Sequence, residues 1–375
     1  MTEQTRILIT TGGTAGHINP ALSVAGIIRY LYPEAPILFV GTADHMEARL
    51  VPAAGFDFKT IDISGFQRSF SPTNIKRNIG TVRKLLTVSG QVAAILDSFK
   101  PDAVAGFGGY VSGPVVRLAQ KRGIPTAIHE QNAFPGVTNK ALAKKADAVM
   151  LASAAAADRF KAKTAPIVTG MPVRRELRNA NREKCRQVLN LDIYPMVLSM
   201  GGSLGARAIN DSVVGMLEIL YPDKLAHFTH SYGQYGKWVP EKLAEKGIRN
   251  DPPRLVLREY IDDMPVVLPA ADLVISRAGA SALAELQVLG KPSILIPSPN
   301  VSENHQFHNA KALVDAGAAV LIEEKDLTPQ RLAETVRSLL SDKTRLQKMS
   351  AAAKSLAHPD AAEQIFSVID SILPS

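Results

Sequence analysis

Two stretches of this chain repeat one pattern about 190 residues apart: LITTGGTAGHINPALS near the start and LSMGGSLGARAINDSV in the middle. Each reads as a buried strand, a Gly-Gly turn and the opening of a helix. One glycine-rich turn of this kind arises easily by chance, but two at corresponding places predict two Rossmann-like domains of similar size. The rest of the pattern agrees. Short apolar runs (RILITT, PILFVG, DAVAGFG, PTAIHE, AVMLAS, IVTG, then MVLSMGG, RLVLREY, DLVISRAG, SILIPS) alternate with helical periodicity. That alternation belongs to βαβ units whose parallel sheets are covered on both faces, so the expected class is α/β. A length of 375 residues suits two domains. The segment KTAPIVTGMPVRREL carries linker-type turn residues, which places the boundary near Thr169 to Arg175 and gives domains of 1–168 and 169–375. Sequence leaves open whether the last helical pattern, Ala361 to Leu373, crosses back onto the first domain.

Charge divides as unevenly as the loops divide evenly. Residues 1–165 hold 19 Lys and Arg against 11 Asp and Glu, whereas the remainder holds 24 of each, so the whole excess of +8 sits in the first half. A one-sided basic surface suits a polyanion, either nucleic acid or an anionic membrane leaflet. No run of about 18 apolar residues is present to span a bilayer, so membrane contact is expected to be peripheral. The single cysteine, Cys185, cannot form an intrachain disulfide, and MTEQTRILITT lacks the marks of a signal peptide. A cytosolic setting is expected.

The first loop, Gly12 to His17, follows a strand and precedes a helix with Pro20 in its first turn. Glycines let backbone N–H groups approach an anion, and the helix N-terminus adds about half a positive charge, so a diphosphate is the expected ligand. The second loop, Gly201 to Arg207, repeats the logic with a hydroxyl in Ser203. Neither has the G-x-G-x-x-G spacing of dinucleotide enzymes nor the Gly-Lys-Ser/Thr of P-loops, which disfavours dehydrogenases and P-loop enzymes. A third turn, Ser276 to Glu285, again brings small residues to a helix start, and Glu285 one turn in can accept two ribose hydroxyls. Gln306 and Asn309, three apart on a helix, can present amides to sugar hydroxyls. His129-Glu130-Gln131-Asn132 stands at the carboxyl end of a strand, where α/β sheets bind ligands. No Asp-x-Asp pair and no His/Cys cluster with metal spacing occurs, so neither a metal nor another cofactor is expected. Arg174 and the helix dipoles are left to stabilise a departing diphosphate.

Eight segments in order, GGTAGHINPALSVA, GFGGYVSGP, HEQNAFPGVTNK, TGMPVRRE, MGGSLGARAIN, YIDDMP, SRAGASALAE and ENHQFHNA, resemble those of the undecaprenyldiphospho-muramoylpentapeptide β-N-acetylglucosaminyltransferases. The resemblance covers nearly the whole chain. It implies the GT-B fold, two Rossmann-like domains with parallel sheets facing a deep cleft, the second domain holding a UDP-sugar and the first a lipid acceptor. It further implies transfer of N-acetylglucosamine from UDP-N-acetylglucosamine to the 4-hydroxyl of an undecaprenyl-diphospho-muramoyl-pentapeptide, with inversion, in peptidoglycan synthesis. Carried over by position, it gives donor contacts to Thr14, Ala15, Gly16, Asn132, Arg174, Ser203, Ile261, Ala280, Ser281, Ala282, Leu283, Ala284, Glu285 and Gln306. Ile261 would meet the uracil through its backbone. Many members of that family have glycine where this chain has Ala15, which leaves the shape of the first loop least constrained.

Inversion by single displacement needs one base, and His17 at a helix N-terminus, where the neutral imidazole is favoured, is the candidate. His129 and Glu130 stand in reserve. Rival readings are a non-hydrolysing UDP-N-acetylglucosamine 2-epimerase, which would need no membrane surface, and a non-catalytic UDP-sugar sensor, which would need no base. The one-sided charge argues against the first and the HEQN run against the second. Ile75, Ile79, Val82, Leu85 and Leu86 recur at helical spacing with Lys76, Arg77, Arg83 and Lys84 on other faces, behind Phe66 and Phe70 in a Gly/Ser/Pro loop. That amphipathic pattern predicts attachment to anionic lipids at the cytoplasmic face of the membrane, with no nucleic-acid partner.

Overall fold

The structure, a computed structural model, describes residues 1–63 and 87–374. The chain divides into two compact units, Met1–Pro172 together with Asp360–Ser375, and Val173–Pro359.

In the first unit the strands are β1 (Ile7–Thr10), β2 (Ile37–Gly41), β3 (Asp57–Thr60), β4 (Ala103–Gly106), β5 (Thr126–Glu130), β6 (Ala148–Leu151) and β7 (Ile167–Val168). They pair in parallel in the order β3-β2-β1-β4-β5-β6-β7. Ile9 of β1 lies between Phe39 of β2 and Ala105 of β4, and all of β1 is buried. Burial on both faces explains why RILITT reads as a continuous apolar run rather than an alternation. The pleat sorts it: Ile7 and Ile9 join one core with Ile18, Val24 and Ile28, while Leu8 joins another with Val104, Val115 and Ile128.

The second unit holds β8 (Met196–Met200), β9 (His227–Ser231), β10 (Leu255–Arg258), β11 (Leu273–Ser276), β12 (Ser293–Leu295) and β13 (Ala319–Leu321). Their order, β10-β9-β8-β11-β12-β13, retraces the first sheet with β8 in the place of β1. Ten of the strands fall on the runs read from sequence; β3, β9 and β13 do not. In each sheet the winding reverses beside the first strand, at β1/β4 and at β8/β11, and an open α/β sheet binds ligands beyond the carboxyl ends at such a reversal. The duplicated glycine loops follow β1 and β8.

The last helix, Ala361–Ser371, belongs to the first unit. Its Ala362, Ile365 and Ile369 complete the core around Ile18 and Ile28, and Asp370 meets the Met1 amino group at 2.5 Å. Phe66, Phe70, Lys76, Arg77, Arg83 and Lys84 lie outside the described residues. Among the described residues no helix is long and apolar enough to cross a membrane.

Candidate functional site

The two glycine loops share a backbone as well as a sequence. Gly13 at φ +89° and Gly202 at φ +90° turn each chain out of its strand through the left-handed region that favours glycine. The residue opening each helix is extended, Thr14 at φ −131° and Ala206 at φ −134°, and neither caps with its side chain. The first-turn N–H groups of both helices, Ala15–Leu31 and Arg207–Leu220, are therefore not closed by a cap from that position, which suits an anion. Ala15 stands at the first helical position, where glycine's freedom is unnecessary.

The first loop is braced by a residue that sequence reasoning missed. Glu47, fully buried, accepts from the Gly13 N–H at 3.0 Å and from the Thr42 N–H and hydroxyl at 3.1 and 2.6 Å. Within HMEARL it reads as an ordinary helix glutamate. Its role depends on a loop 34 positions away.

His17 is half-buried, with Nδ1 at 3.0 Å from Gln131 Oε1. The Gln131 amide nitrogen lies 2.9 Å from the Phe107 carbonyl and 3.1 Å from His129 Nδ1, and His129 Nε2 lies 2.9 Å from the Gly170 carbonyl. Burial pushes the His129 pKa down to about 4, so it is neutral at ordinary pH. Glu130 accepts from the Asn132 N–H and amide at 3.0 and 3.2 Å, the Gly136 N–H at 3.1 Å and the Asn139 amide at 2.9 Å.

These contacts set the three candidate bases apart. His129 and Glu130 are 0% and 2% exposed, and a general base must come within hydrogen-bond reach of its substrate. Both hold the loop, whereas His17 is half-buried at the helix mouth. Asn132 is tethered to Glu130 through both backbone and side chain, which sets the loop's position.

In the second unit Arg174 and Glu285, 111 positions apart, pair directly: Arg174 Nε and Nη2 donate to Glu285 Oε1 at 3.0 and 2.9 Å. Burial raises the Glu285 pKa and Arg174 pulls it back. Glu285 rides on the Ala280–Leu289 helix, whose first residues are Ala280, Ser281, Ala282, Leu283 and Ala284. Ile261 is 3% exposed, so its side chain is committed to the core and only its backbone is on offer.

A cavity of about 470 Å³ is lined by Gly201 to Ala208, Arg277, Ser298, Asn300, Gln306 and Glu324. It brings Ser203 and Gln306 together, and adds the ion pair of Arg277 with Glu324, 2.5 Å apart, which the sequence did not single out. Gln306 Oε1 accepts from the Ser298 N–H at 2.9 Å. Asn309 is 4% exposed and donates to the Ala278 carbonyl at 3.2 Å, bracing the turn before the Ala280–Leu289 helix.

Comparison with known proteins fits this geometry. Residues 7–151 match the glycosyltransferase family 28 N-terminal domain and residues 196–365 its C-terminal domain. A Bacillus cytotoxicus protein named UDP-N-acetylglucosamine–N-acetylmuramyl-(pentapeptide) pyrophosphoryl-undecaprenol N-acetylglucosamine transferase is 44% identical, covering 98% of this chain and 99% of its own. The crystal structure of Acinetobacter baumannii MurG superposes with a TM-score of 0.78 at 29% identity, over 98% of this chain and 99% of that one. A putative UDP-N-acetylglucosamine 2-epimerase from Listeria monocytogenes reaches a TM-score of 0.68 at 17% identity, over 98% and 96%, a likeness of fold alone. With both halves matched in order and a curated relative 44% identical from end to end, this chain belongs to glycosyltransferase family 28.

Proposed function

We infer that the chain transfers N-acetylglucosamine from UDP-N-acetylglucosamine to the 4-hydroxyl of undecaprenyl-diphospho-N-acetylmuramoyl-pentapeptide, forming the lipid-linked disaccharide of peptidoglycan synthesis. The observation that carries it is the 44% identity, over essentially both whole chains, to a relative named for that transfer. The epimerase reading shares only the fold, at 17% identity.

The muramoyl 4-hydroxyl attacks the anomeric carbon of the donor; the new C–O bond forms as the bond to the diphosphate breaks, with inversion. His17 takes the hydroxyl proton. The departing UDP carries its negative charge toward the helix N-terminus after the second glycine loop and toward Arg174, a preorganised stabilisation of the leaving group. Glu285 holds the ribose hydroxyls, the Ile261 backbone the uracil, and Ser203 and Gln306 the diphosphate and sugar. The Arg174–Glu285 pair supports this reading, because it gathers a cation for phosphate and an acceptor for ribose at one place.

The acceptor is anchored in a membrane, and the enzyme meets it as a peripheral protein of the cytoplasmic face. The basic excess of the first half and the amphipathic run from Ile75 to Leu86, with Phe66 and Phe70 before it, supply anionic-lipid contacts. The decisive experiment incubates the protein with labelled UDP-N-acetylglucosamine and lipid-linked muramoyl-pentapeptide. A labelled lipid-linked disaccharide is expected; conversion of the label into the 2-epimeric UDP-sugar without acceptor would replace this reading with the non-hydrolysing epimerase.

A further inference from the structure

Five hydrogen bonds in the first unit have only one consistent proton assignment. Gln131 is 4% exposed, and its side-chain nitrogen lies 2.9 Å from the Phe107 carbonyl and 3.2 Å from the His129 carbonyl. Carbonyls only accept, so the amide must present its NH₂ to them and its oxygen to His17. Gln131 Oε1 is likewise only an acceptor, so the atom 3.0 Å away, His17 Nδ1, must carry a hydrogen. The far end of the network agrees. His129 Nε2 faces the Gly170 carbonyl at 2.9 Å and must donate, which leaves its Nδ1 as an acceptor, as in a neutral ring; at 3.1 Å it shares one Gln131 N–H with the His129 carbonyl, while the other N–H goes to Phe107.

Packing holds the arrangement. Gly108 follows β4 at φ +88°, and a Cβ there would come within 2.8 Å of His17 Nδ1 and 3.2 Å of Gln131 Oε1. The backbone at Gly108 thus lies directly against the hydrogen bond, and only a residue without a side chain fits.

We propose that Gln131 is a positioning residue that fixes the tautomer of His17, placing the proton on Nδ1 and the lone pair on Nε2, the atom that takes the proton of the incoming 4-hydroxyl. The idea rests on His17 as the base. Imidazole in water distributes its proton between both nitrogens, and the nitrogen that already carries one cannot accept another. The glutamine selects the productive form before substrate arrives. When Nε2 gains the proton, the Nδ1–H bond to Gln131 Oε1 is already in place to meet the new positive charge.

The test reads the tautomer directly. Protein labelled with ¹⁵N-histidine, with the His17 signals assigned by their loss in His17→Asn, is expected to show His17 protonated on Nδ1 and bare on Nε2 at neutral pH. A wild-type spectrum with the proton on Nε2 overturns the proposal without any variant needing to fold. In Gln131→Met, which keeps length and loses both polar groups, the spectrum should become a mixture of tautomers. Its kcat should fall roughly 2- to 13-fold, the worth of one ordinary hydrogen bond, while the donor KM holds. An unchanged tautomer in that variant, or a loss confined to KM, overturns the positioning role. Normal turnover by His17→Ala would instead overturn the base assignment beneath it, and the wild-type spectrum distinguishes the two failures.

Discussion

Removing Glu285 tests the donor site at its most constrained point. The carboxylate sits on the first turns of the Ala280–Leu289 helix with its side chain 16% exposed, and Arg174 occupies Oε1 through two donors. A charged acceptor lost from two ribose hydroxyls costs ~1.5 to 3 kcal/mol. Part of that is already offset in the free protein, since ribose must compete with an Arg174 whose side chain is 46% exposed. A pair of that kind is worth about 0.2 to 1 kcal/mol. The net expectation for Glu285→Ala is therefore about 1 to 2 kcal/mol, or roughly 5- to 30-fold in the dissociation constant of UDP. Titration calorimetry with UDP measures it without the lipid acceptor. The cycle with Arg174→Ala adds a second reading. Because Arg174 and Glu285 touch, their effects should fall short of additivity by about 0.5 kcal/mol or more. UDP binding to Glu285→Ala within twofold of the parent would refute the reasoning, and strict additivity would refute the claim that the pair acts as one unit.

His17→Ala should lower kcat by about 10²- to 10⁴-fold while UDP still binds, measured by disaccharide formation beside UDP titration; near-normal turnover removes His17 as base. Gln306→Glu keeps the acceptor for the Ser298 N–H but removes the amide donors, so the preference for N-acetylglucosamine over its 4-epimer should change, and an unaltered preference excludes Gln306 from the sugar site. Replacing Lys76, Arg77, Arg83 and Lys84 with glutamine should weaken binding to anionic vesicles and slow transfer to the lipid-linked acceptor, with a short-chain soluble acceptor nearly unaffected; equal loss on both acceptors would contradict a membrane role. His129 and His230 are each held neutral by burial, with pKa values lowered to about 4. The unfolded chain binds their protons first on acidification, so stability should be full above about pH 6.5 and fall toward pH 4, by at most about 3 kcal/mol per group. Thermal melts across that range check it, and a flat profile would mean that these rings are not shielded as described.

Much of this architecture is written in the chain locally. The apolar strands of a parallel sheet, buried on both faces, announce themselves as continuous runs, and the paired glycine turns locate β1 and β8. Strand β9 is silent by the same criterion, because His227, Thr229, His230 and Ser231 are polar yet at most 6% exposed. Their burial depends on partners elsewhere, such as Ser199 Oγ at 2.8 Å from His230 Nδ1. Strand β3 is an edge strand with mostly exposed residues and has no hydrophobic face to reveal it. The site divides along the same line. Position at a strand's carboxyl end marks HEQN as polar and concentrated, but a linear pattern cannot tell a carboxylate turned toward a ligand from Glu130, bonded to its own loop. Nor could it show that Arg174 and Glu285, each assigned to the donor, pair with one another while waiting for it.

The return of Ala361–Ser371 to the first unit has a consequence for the order in which the protein is made. A nascent chain emerging from the ribosome usually completes its N-terminal portion first. Here Ile18, Val24 and Ile28 stay partly uncovered until Ala362, Ile365 and Ile369 have been synthesised. The segment Val173–Pro359 is finished earlier, since the second unit takes no residue beyond Pro359. Translation therefore completes the unit that begins first after the unit that begins second, and a released chain truncated after Pro359 should carry a protease-resistant 173–359 segment beside a more susceptible N-terminal one.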